Sequence, residues 1–228
     1  MANGAVILDV DGTLVDSNAA HARAWVDAFA RHGIAVPFEK VRRAIGMGGD
    51  KLMPAVSGIP EDSDRGQAIS AERSELFKST CLSQVRAFPR VRELLERFVA
   101  DGLTLAVASS AQEDELGTLL EIANVSDLIP ARASSDDAER SKPDPDIVEA
   151  ALREARADRA RTIMLGDTPY DVEAASRARI EIVGVECGGW SRANLRGAVQ
   201  VFASPAELLE RYAQTVFARL RLLTARTS

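Results

Sequence analysis

Four short apolar runs, each followed at once by polar residues, constrain the fold of this sequence more than any other feature. The runs cover residues 5–8, 103–108, 162–165 and 180–185, with weaker candidates over residues 127–131 and 199–203. Amphipathic helical patterns lie between them, over residues 91–100, 115–123 and 147–155. Continuously apolar strands that alternate with helices are typical of a parallel sheet covered on both faces. We therefore predict an α/β fold built on a parallel sheet.

The stretch from residue 16 to residue 86 interrupts this alternation. It contains no convincing strand but carries three helix-length patterns, over residues 19–32, 38–45 and 65–81. A helical block placed just after the first strand is best explained as a lid over the carboxyl edge of the sheet. We therefore predict a core formed by residues 1–15 and 87–228, and an inserted α-helical cap domain formed by residues 16–86.

Charge and apolar content disfavour several classes of function. The 228 residues carry a net charge of −6 and an isoelectric point near 5.1, which argues against general affinity for nucleic acid or anionic membranes. No apolar run approaches the length of a membrane span, and the first residues lack a basic region followed by an apolar stretch. Cys81 and Cys187 lie far apart, as expected of free thiols in a reducing compartment. We expect a cytoplasmic protein, monomeric or homodimeric, that binds neither nucleic acid nor membrane.

The end of the chain can form one further amphipathic helix. Its apolar positions are Val216, Phe217, Leu220 and Leu223. Packing of this helix on its own core is the first interpretation, a contact in a dimer is the second, and a basic helix on a membrane surface is a minor third.

Acidic residues follow two of the apolar runs, at the point where each strand would end. Asp9 and Asp11 come directly after the first run, and Asp167 follows the third with one glycine between. The carboxyl ends of parallel strands meet at one edge of a sheet, so these acids should share a crevice. Like charges so placed repel unless a cation is present, and three carboxylates suit Mg²⁺. The alternative is a set of turn-forming aspartates without metal; a calcium-binding loop is excluded because Gly12 stands fourth in its loop and follows a strand.

Three further residues could bind a phosphate at the same crevice. Ser109 and Ser110 follow the second apolar run and can offer hydroxyl and backbone N–H groups to an anion, although serine is equally common there as a helix cap. Lys142 precedes a predicted helix that Pro143 can open. Near an acid cluster this lysine would offset negative charge, whereas a lone lysine before a helix is usually only solvated.

A fourth acid follows the third apolar run. Asp171 lies four residues after Asp167. If Pro169 begins a helix, Asp171 falls in its first turn and faces the same crevice. We therefore add Asp171 to the candidate metal site.

Together these residues resemble the motifs of the haloacid dehalogenase-like hydrolase superfamily. Residues 9–17 are similar to its first motif and residues 166–171 to its fourth, while Ser109 and Lys142 match its second and third. The motifs occur in the family's order and span nearly the whole chain. The helical block resembles the cap of the subfamily that includes phosphoglycolate phosphatase and β-phosphoglucomutase. The resemblance implies a Rossmann-like core with an inserted helical cap.

The resemblance also implies a magnesium-dependent phosphatase acting on a small phosphorylated metabolite. Asp9 would attack phosphorus and form an aspartyl-phosphate. Asp11 would protonate the leaving oxygen and then deprotonate the attacking water. Mg²⁺ would be held by Asp9, the backbone carbonyl of Asp11, and Asp167.

The substrate would be bound by residues of the other motifs. Ser109 and Lys142 would bind the phosphoryl oxygens, with Ser110 beside them. Asp171 would orient Lys142 or a metal-bound water. Lys51, in the run of residues 47–51, is interpreted as a contact to the substrate phosphate or another substrate anion, or else as a solvated lysine. With Arg42 and Arg43 it suggests an anionic substrate such as phosphoglycolate or a sugar phosphate, although exposed basic residues on a helix are usually only solvated.

The second acid of the first motif discriminates between activities in the superfamily. Dehalogenases and phosphonoacetaldehyde hydrolases resemble this fold but lack an acid equivalent to Asp11, so both activities are disfavoured. A β-phosphoglucomutase-like phosphomutase is the alternative, because His21 and Trp25 match its pattern after the first motif. Residues 45–49 lack the arginine of the mutases, however, and the fourth motif is of the phosphatase type. His21 either packs at the hinge of the cap or touches the nucleophile as part of the substrate site.

Overall fold

Eight β-strands and ten α-helices form the described part of the chain, residues 4–225, in this computed structural model. The strands are β1 (Ala5–Leu8), β2 (Val15–Asp16), β3 (Arg86–Ala87), β4 (Thr104–Ala108), β5 (Ala131–Ala133), β6 (Thr162–Gly166), β7 (Glu181–Val185) and β8 (Gln200–Phe202). The helices are α1 (Asn18–Arg31), α2 (Phe38–Arg42), α3 (Gly49–Ser57), α4 (Asp64–Leu76), α5 (Val91–Ala100), α6 (Glu113–Ile122), α7 (Asp146–Glu154), α8 (Pro169–Arg177), α9 (Pro205–Glu210) and α10 (Val216–Ala225). Side chains are described as far as Leu220.

Six of the strands form one parallel sheet in the order β5-β4-β1-β6-β7-β8. β1 lies near its centre, where Leu8 is in register with Val107 of β4 and with Leu165 of β6. The carboxyl ends of these three strands therefore lie side by side. The predicted α/β class with a parallel sheet core is confirmed.

Burial on both faces explains why β1 is apolar at every position. Val6 and Leu8 belong to one hydrophobic cluster, together with residues of α5 and α6. Ile7 points to the opposite face, where it packs in a second cluster with residues of α7 and α8. Successive side chains of a strand alternate between faces, so a strand between two helical layers must be apolar throughout.

Residues 16–86, which we call the helical insert, leave and rejoin the core at two short paired strands. β2 and β3 are antiparallel, with Val15 opposite Ala87 and Asp16 opposite Arg86. Helices α1 to α4 lie between them in the chain. The predicted division into a core of residues 1–15 and 87–228 and a cap of residues 16–86 stays a prediction.

Inside the helical insert, local structure departs from the sequence patterns. The sequence did not predict α3, which begins at Gly49 with Gly48 as its N-cap residue and contains Pro54, because these residues weaken a helical signal. Its buried residues Leu52, Met53 and Val56 show that packing within the insert stabilises it. The predicted helix over residues 65–81 is α-helical only to Leu76 and continues as a π-helix over Phe77–Cys81.

Two differences lie in the core. The weak strand predicted over residues 127–131 is found at Ala131–Ala133. Pro143 does not open a helix: α7 begins at Asp146, with Pro145 as its N-cap residue. Pro145 suits the start of a helix as well as Pro143 does, and the side chains of Ile147 and Val148 just after it are buried against the sheet.

The predicted helix at the end of the chain is present as α10. Its Phe217 is fully buried, with its ring centroid 4.7 Å from that of Phe98 in α5. This part of the helix therefore packs on its own core; Leu223 lies outside the described side chains. None of the helices in residues 4–225 is long and apolar enough to cross a bilayer.

Candidate active site

Three buried aspartates and one buried lysine meet at the carboxyl edge of the sheet. Asp9, Asp167 and Asp171 each place a carboxylate oxygen within 4.8 Å of the others. The ammonium of Lys142 lies 2.6 Å from Asp9 Oδ1 and 2.8 Å from Asp171 Oδ1. Four of the predicted site residues, from three separate segments of the chain, are thus in one cluster, which we call the acid cluster.

The turn after β1 fixes Asp9 and closes the acid cluster from one side. The Asp9 N–H donates to Leu165 O at 2.9 Å, which extends the pairing of β1 with β6 by one residue. The chain then turns back at Gly12, whose φ is +81° and where any Cβ would lie 2.4 Å from the Asp167 carboxylate. This turn places Thr13 Oγ1 2.9 Å from Asp9 Oδ2 and 3.2 Å from Asp167 Oδ1. A hydroxyl has one proton, so it donates to one of these oxygens at a time.

Asp167 is held from the other side by the helical insert. Asn18, the first residue of α1, donates from Nδ2 to Asp167 Oδ2 at 3.0 Å and to Gly188 O at 3.0 Å. A side chain at position 188 would occupy the same space as the Asp167 carboxylate, because its Cβ would lie 1.6 Å from Oδ2. The sequence analysis missed Asn18, since a polar residue at the start of a helix gives no signal of its own.

A capping box at the start of α8 sets the orientation of Asp171. Pro169 begins this helix, as predicted, and Thr168 is its N-cap residue. Asp171 Oδ2 accepts hydrogen bonds from the Thr168 N–H at 3.0 Å and from its hydroxyl at 2.7 Å. This leaves Oδ1 directed at Lys142, so Asp171 is the partner that positions the lysine beside Asp9.

The acid cluster carries more negative than positive charge. Its three carboxylates and one ammonium sum to −2 when all are ionised, in a fully buried setting. Burial and the neighbouring charge of Asp171 raise the pKa of Asp9 to about 7, although Lys142 acts against the shift. Burial, followed by the charges of Asp9 and Asp171, also raises the pKa of Asp167 well above its usual value. Burial disfavours the Lys142 ammonium, but its two carboxylate partners outweigh this effect and raise its pKa.

A divalent cation would balance the net negative charge of the acid cluster. The donors are all oxygen, which is the ligand type of hard cations, and a charge of +2 would neutralise the acid cluster. The cluster could therefore hold a metal ion.

The carboxylate of Asp11 lies outside the acid cluster. It accepts a hydrogen bond from Ser17 Oγ at 2.5 Å and lies 2.7 Å from Nε2 of His21. Burial raises the pKa of Asp11, but His21, the Ser17 hydroxyl and the charge of Arg73 outweigh it, so the pKa is lowered overall. The two acids of the first motif thus differ: Asp9 is paired with a buried lysine, whereas Asp11 faces the helical insert.

A second group of residues from the helical insert surrounds His21. Arg73 of α4 lies 2.7 Å from His21 Nδ1 and donates at 3.0 Å to Glu115 of α6, which is buried. A guanidinium has no acceptor, so Nδ1 must accept and Nε2–H must donate to Asp11. The His21 ring also stacks on Phe77, with centroids 4.0 Å apart. His21 therefore contacts Asp11 rather than Asp9, and sequence reasoning missed both Arg73 and Glu115.

The two serines after β4 have different surroundings. Ser109 is fully buried and its Oγ accepts a hydrogen bond from the Ala111 N–H at 3.1 Å. Ser110 is half-buried and lines a small cavity of about 40 Å³ together with Asp9 and Asp11. The loop after β4 thus lies against the candidate nucleophile, as the strand order requires.

Comparison with known proteins assigns the family. The sequence model of the haloacid dehalogenase-like hydrolases matches residues 6–185. The chain belongs to this family. A phosphoglycolate phosphatase from Rhodospirillum rubrum is 30% identical over 215 residues, which cover 90% of this chain and 88% of the relative.

Two solved structures share the whole architecture. A hydrolase from Pseudomonas syringae has a TM-score of 0.86 and 28% identity, and the match covers 93% of this chain and 99% of that one. A putative β-phosphoglucomutase from Bacteroides vulgatus has the same fold, with a TM-score of 0.81, 23% identity and a match covering 96% and 90% of the two chains. The predicted subfamily, that of phosphoglycolate phosphatase and β-phosphoglucomutase, is confirmed, and the chain is a phosphatase of this haloacid dehalogenase-like family.

Three basic residues of the helical insert in this phosphatase contact the core. Lys51 donates to Asp144 Oδ2 at 2.5 Å and to the carbonyl of Ser141. Arg42 donates to Gly188 O at 2.5 Å, and the Arg43 guanidinium lies 4.6 Å from the centroid of the Trp190 ring. The structure therefore places Lys51 in an ion pair with the core and not in the acid cluster.

A large cleft separates the helical insert of the phosphatase from the loops after β4 and β5. Its volume is about 1070 Å³. It adjoins the small cavity over Asp9 and Asp11, because the two spaces share lining residues: Trp25, Met47, Arg73, Ser110 and Ala111. A group attached to a phosphate at Asp9 would extend into this cleft.

Proposed function

We propose that this phosphatase hydrolyses the phosphate monoester of a small metabolite, with Mg²⁺ as cofactor and through an aspartyl-phosphate on Asp9. The observation that carries the proposal is the 2.6 Å contact of Asp9 with Lys142 inside the acid cluster. An aspartate that is buried, fixed by the sheet and paired with a cation is arranged for nucleophilic attack on an anionic group.

The metal would be held by Asp9, Asp167 and the backbone carbonyl of Asp11, while Asp171 keeps Lys142 in place. A bound Mg²⁺ supplies positive charge that offsets the charge of the phosphoryl group and of its protein ligands. Lys142 and the metal together favour the ionised form of Asp9, whose pKa in the metal-free site is about 7. Ionised Asp9 is the form that can attack phosphorus.

Lys142, Ser109 and Ser110 would hold the phosphoryl oxygens. The Lys142 ammonium stays charged because its pKa is raised, so it can neutralise one phosphoryl oxygen. The Ser109 Oγ accepts from a backbone N–H, which leaves its own proton free to be donated to another oxygen. These contacts align the phosphorus with Asp9.

Asp11 would act as general acid and then as general base. In the first step a bond forms between Asp9 and phosphorus, the bond to the leaving oxygen breaks, and that oxygen takes a proton from Asp11. In the second step water attacks phosphorus, its proton passes to Asp11, and Asp9 is released. The lowered pKa of Asp11 in the present arrangement suits the base role. The proton that Asp11 takes from water in the second step is the proton that it donates in the first step of the next cycle.

The helical insert would serve as the cap of the active site. It supplies Asn18 to the acid cluster, and His21 and Arg73 to the surroundings of Asp11. It also forms one wall of the large cleft. Closure of the insert would exclude water while the first phosphoryl transfer takes place.

Removal of the metal should stop the reaction. With p-nitrophenyl phosphate and Mg²⁺ we expect release of phosphate, and with a chelator in place of Mg²⁺ a loss of about 10³-fold or more. Asp167→Asn should raise the Mg²⁺ concentration needed for half-maximal rate by about tenfold or more, because it removes a charged ligand. The Mg²⁺ dependence of the rate, measured for both proteins, checks this expectation.

Equal turnover with and without Mg²⁺ would contradict the proposed cofactor, and no turnover at all would contradict the proposed hydrolysis.

The contact of His21 with Asp11, at a position that matches the mutase pattern, keeps a phosphomutase as the second candidate. Conversion of a sugar 1-phosphate to its 6-phosphate without phosphate release would establish that activity instead.

Loss of Asp11 should affect poor leaving groups most. Asp11→Ala is expected to slow hydrolysis of an alkyl phosphate by about 10²-fold or more beyond its effect on p-nitrophenyl phosphate, because p-nitrophenolate leaves without a proton donor. The two rates, each compared with the parent protein, give this difference directly. Equal losses for the two esters would contradict the role of Asp11 as general acid.

A further inference from the structure

The charge of the large cleft points to the chemistry of the substrate's leaving group. Five acidic side chains line it: Asp50, Glu61, Asp62, Glu75 and Glu139. Within the described residues, Arg73 is the only basic side chain in its lining, and Arg73 is paired with Glu115. The part of the site that would receive the leaving group is therefore acidic.

Lys51 and Arg42, which could have offset the negative charge of the cleft, are bound to other groups. Lys51 is paired with Asp144, and Arg42 bonds a backbone carbonyl of the core. Neither of them lines the cleft. The sequence suggested an anionic substrate, such as phosphoglycolate or a sugar phosphate, from these two residues and Arg43. None of the three lines the cleft, so a second anionic group on the substrate would not meet them there.

Glu61 occupies the most enclosed position among these acids. It is half-buried and accepts a hydrogen bond from Ser70 at 2.8 Å. Burial raises the pKa of Glu61, and the charges of Asp50 and Asp62 act in the same direction; these effects outweigh the hydrogen bond from Ser70 and the charge of Arg73, which lower it. The three carboxylates at this end of the cleft therefore repel one another.

The acid cluster can still receive a phosphate despite these acids. Lys142 and the proposed metal supply positive charge at Asp9, at the end of the site where the small cavity adjoins the cleft. The two ends of the site thus differ in charge once the metal is bound, because the metal neutralises the acid cluster while the cleft stays acidic. A cleft lined by one sign of charge focuses its field on a bound ligand.

We propose that the cleft selects phosphate monoesters whose alcohol carries a protonated amine, and disfavours those that carry a second anion. The proposal rests on the proposed function, because it assigns the substrate class of the same site. A volume of about 1070 Å³ accommodates an alcohol of sugar size. A small acid such as glycolate would leave most of this space empty and would meet like charge.

Three hexose-derived probes test the proposal: glucosamine 6-phosphate, glucose 6-phosphate and 6-phosphogluconate, compared at about pH 6.5, where the amine is largely protonated. We expect kcat/KM to fall in that order. The values for glucosamine 6-phosphate and 6-phosphogluconate should differ by about tenfold or more at low ionic strength and by less in high salt. Should the three turn over too slowly to compare, their inhibition constants against p-nitrophenyl phosphate serve as the same measurement.

Variants test whether the acidic residues of the cleft cause the preference for the amine probe over the carboxylate probe. Glu61→Gln combined with Asp62→Asn should reduce the ratio between the amine and carboxylate probes by about threefold or more. Glu121→Gln, an exposed residue of α6 that does not line the cleft, should leave the ratio unchanged. A ratio of one or below in the parent protein, or a ratio that the double variant does not change, would overturn the inference. Failure of the proposed function would give a different result, because no ester, including p-nitrophenyl phosphate, would then release phosphate.

Discussion

Replacing Asp9 by asparagine should abolish phosphate release while the protein remains folded. Asn has nearly the same shape but a far weaker nucleophile, and its carbonyl oxygen can still accept the Lys142 hydrogen bond that Asp9 Oδ1 accepts at 2.6 Å. We expect a loss of about 10⁴-fold or more in the rate of p-nitrophenyl phosphate hydrolysis with saturating Mg²⁺. A phosphate-release assay, with circular dichroism to verify the fold, measures both quantities.

The matched control for this substitution is Asp127→Asn. Asp127 is exposed and pairs with Arg92 on the surface. Its replacement removes the same charge from the protein and should leave the rate unchanged within about twofold, because exposed ion pairs contribute little. Substantial residual turnover by Asp9→Asn would show that phosphorus is attacked by another group, such as water, and not by this carboxylate.

Replacing Lys142 by methionine should destabilise the metal-free protein strongly. The ammonium is fully buried between Asp9 and Asp171, and without it three buried carboxylates lack any cation. Loss of one partner from a buried charge network leaves uncompensated charge, so we expect the free energy of unfolding to fall by about 3 kcal/mol near neutral pH. Urea denaturation of the metal-free protein measures this change, and activity should be lost with it.

The pH dependence of the stability lost in Lys142→Met distinguishes uncompensated charge from a simple loss of packing. The pKa of Asp9 is raised to about 7, and that of Asp167 is also raised, so the folded state binds protons that the unfolded state releases. The contribution of these two carboxyl groups to the stability of the metal-free protein therefore increases as the pH falls from about 7 towards the unfolded value near 4. The deficit of Lys142→Met should shrink over the same range, because protonated carboxylates no longer repel.

An exposed lysine provides the control for Lys142. Lys78 forms an ion pair with Asp114 at 2.7 Å on the surface of the protein. Lys78→Met should change the free energy of unfolding by less than about 1 kcal/mol. An equally small change for Lys142→Met, or a deficit that does not depend on pH, would contradict the idea that this lysine offsets the charge of the acid cluster.

The central sheet and its acid edge were predictable because they depend on local patterns. The central strands β1, β4 and β6 are buried on both faces and almost continuously apolar, so the end of each is marked by the polar residues that follow. Asp9, Ser109 and Asp167 occupy such positions, and the parallel strand order brings them together. Asp171 was predictable for a similar reason, since Pro169 marks the start of its helix.

The helical insert was less predictable because its helices are stabilised mainly by packing on one another. The glycines at the start of α3 and Pro54 inside it weaken the local signal, yet its apolar residues are buried. The roles of Arg73 and Glu115 depend on the contact of α4 with α6, which lie 42 residues apart in the chain at that point. No periodicity reports such a contact.

The sequence by itself determined the fold class, the family and the group of residues at the edge of the sheet, because strand ends and motif spacing are local properties. Only the tertiary structure decided which of these side chains contact one another. Asp9 and Asp171 both bind Lys142, whereas Asp11 contacts His21. It also showed that Lys51 and Arg42 are bound to the core and that acids line the cleft. These features depend on which side chains from distant segments meet, and such pairing leaves no pattern along the chain.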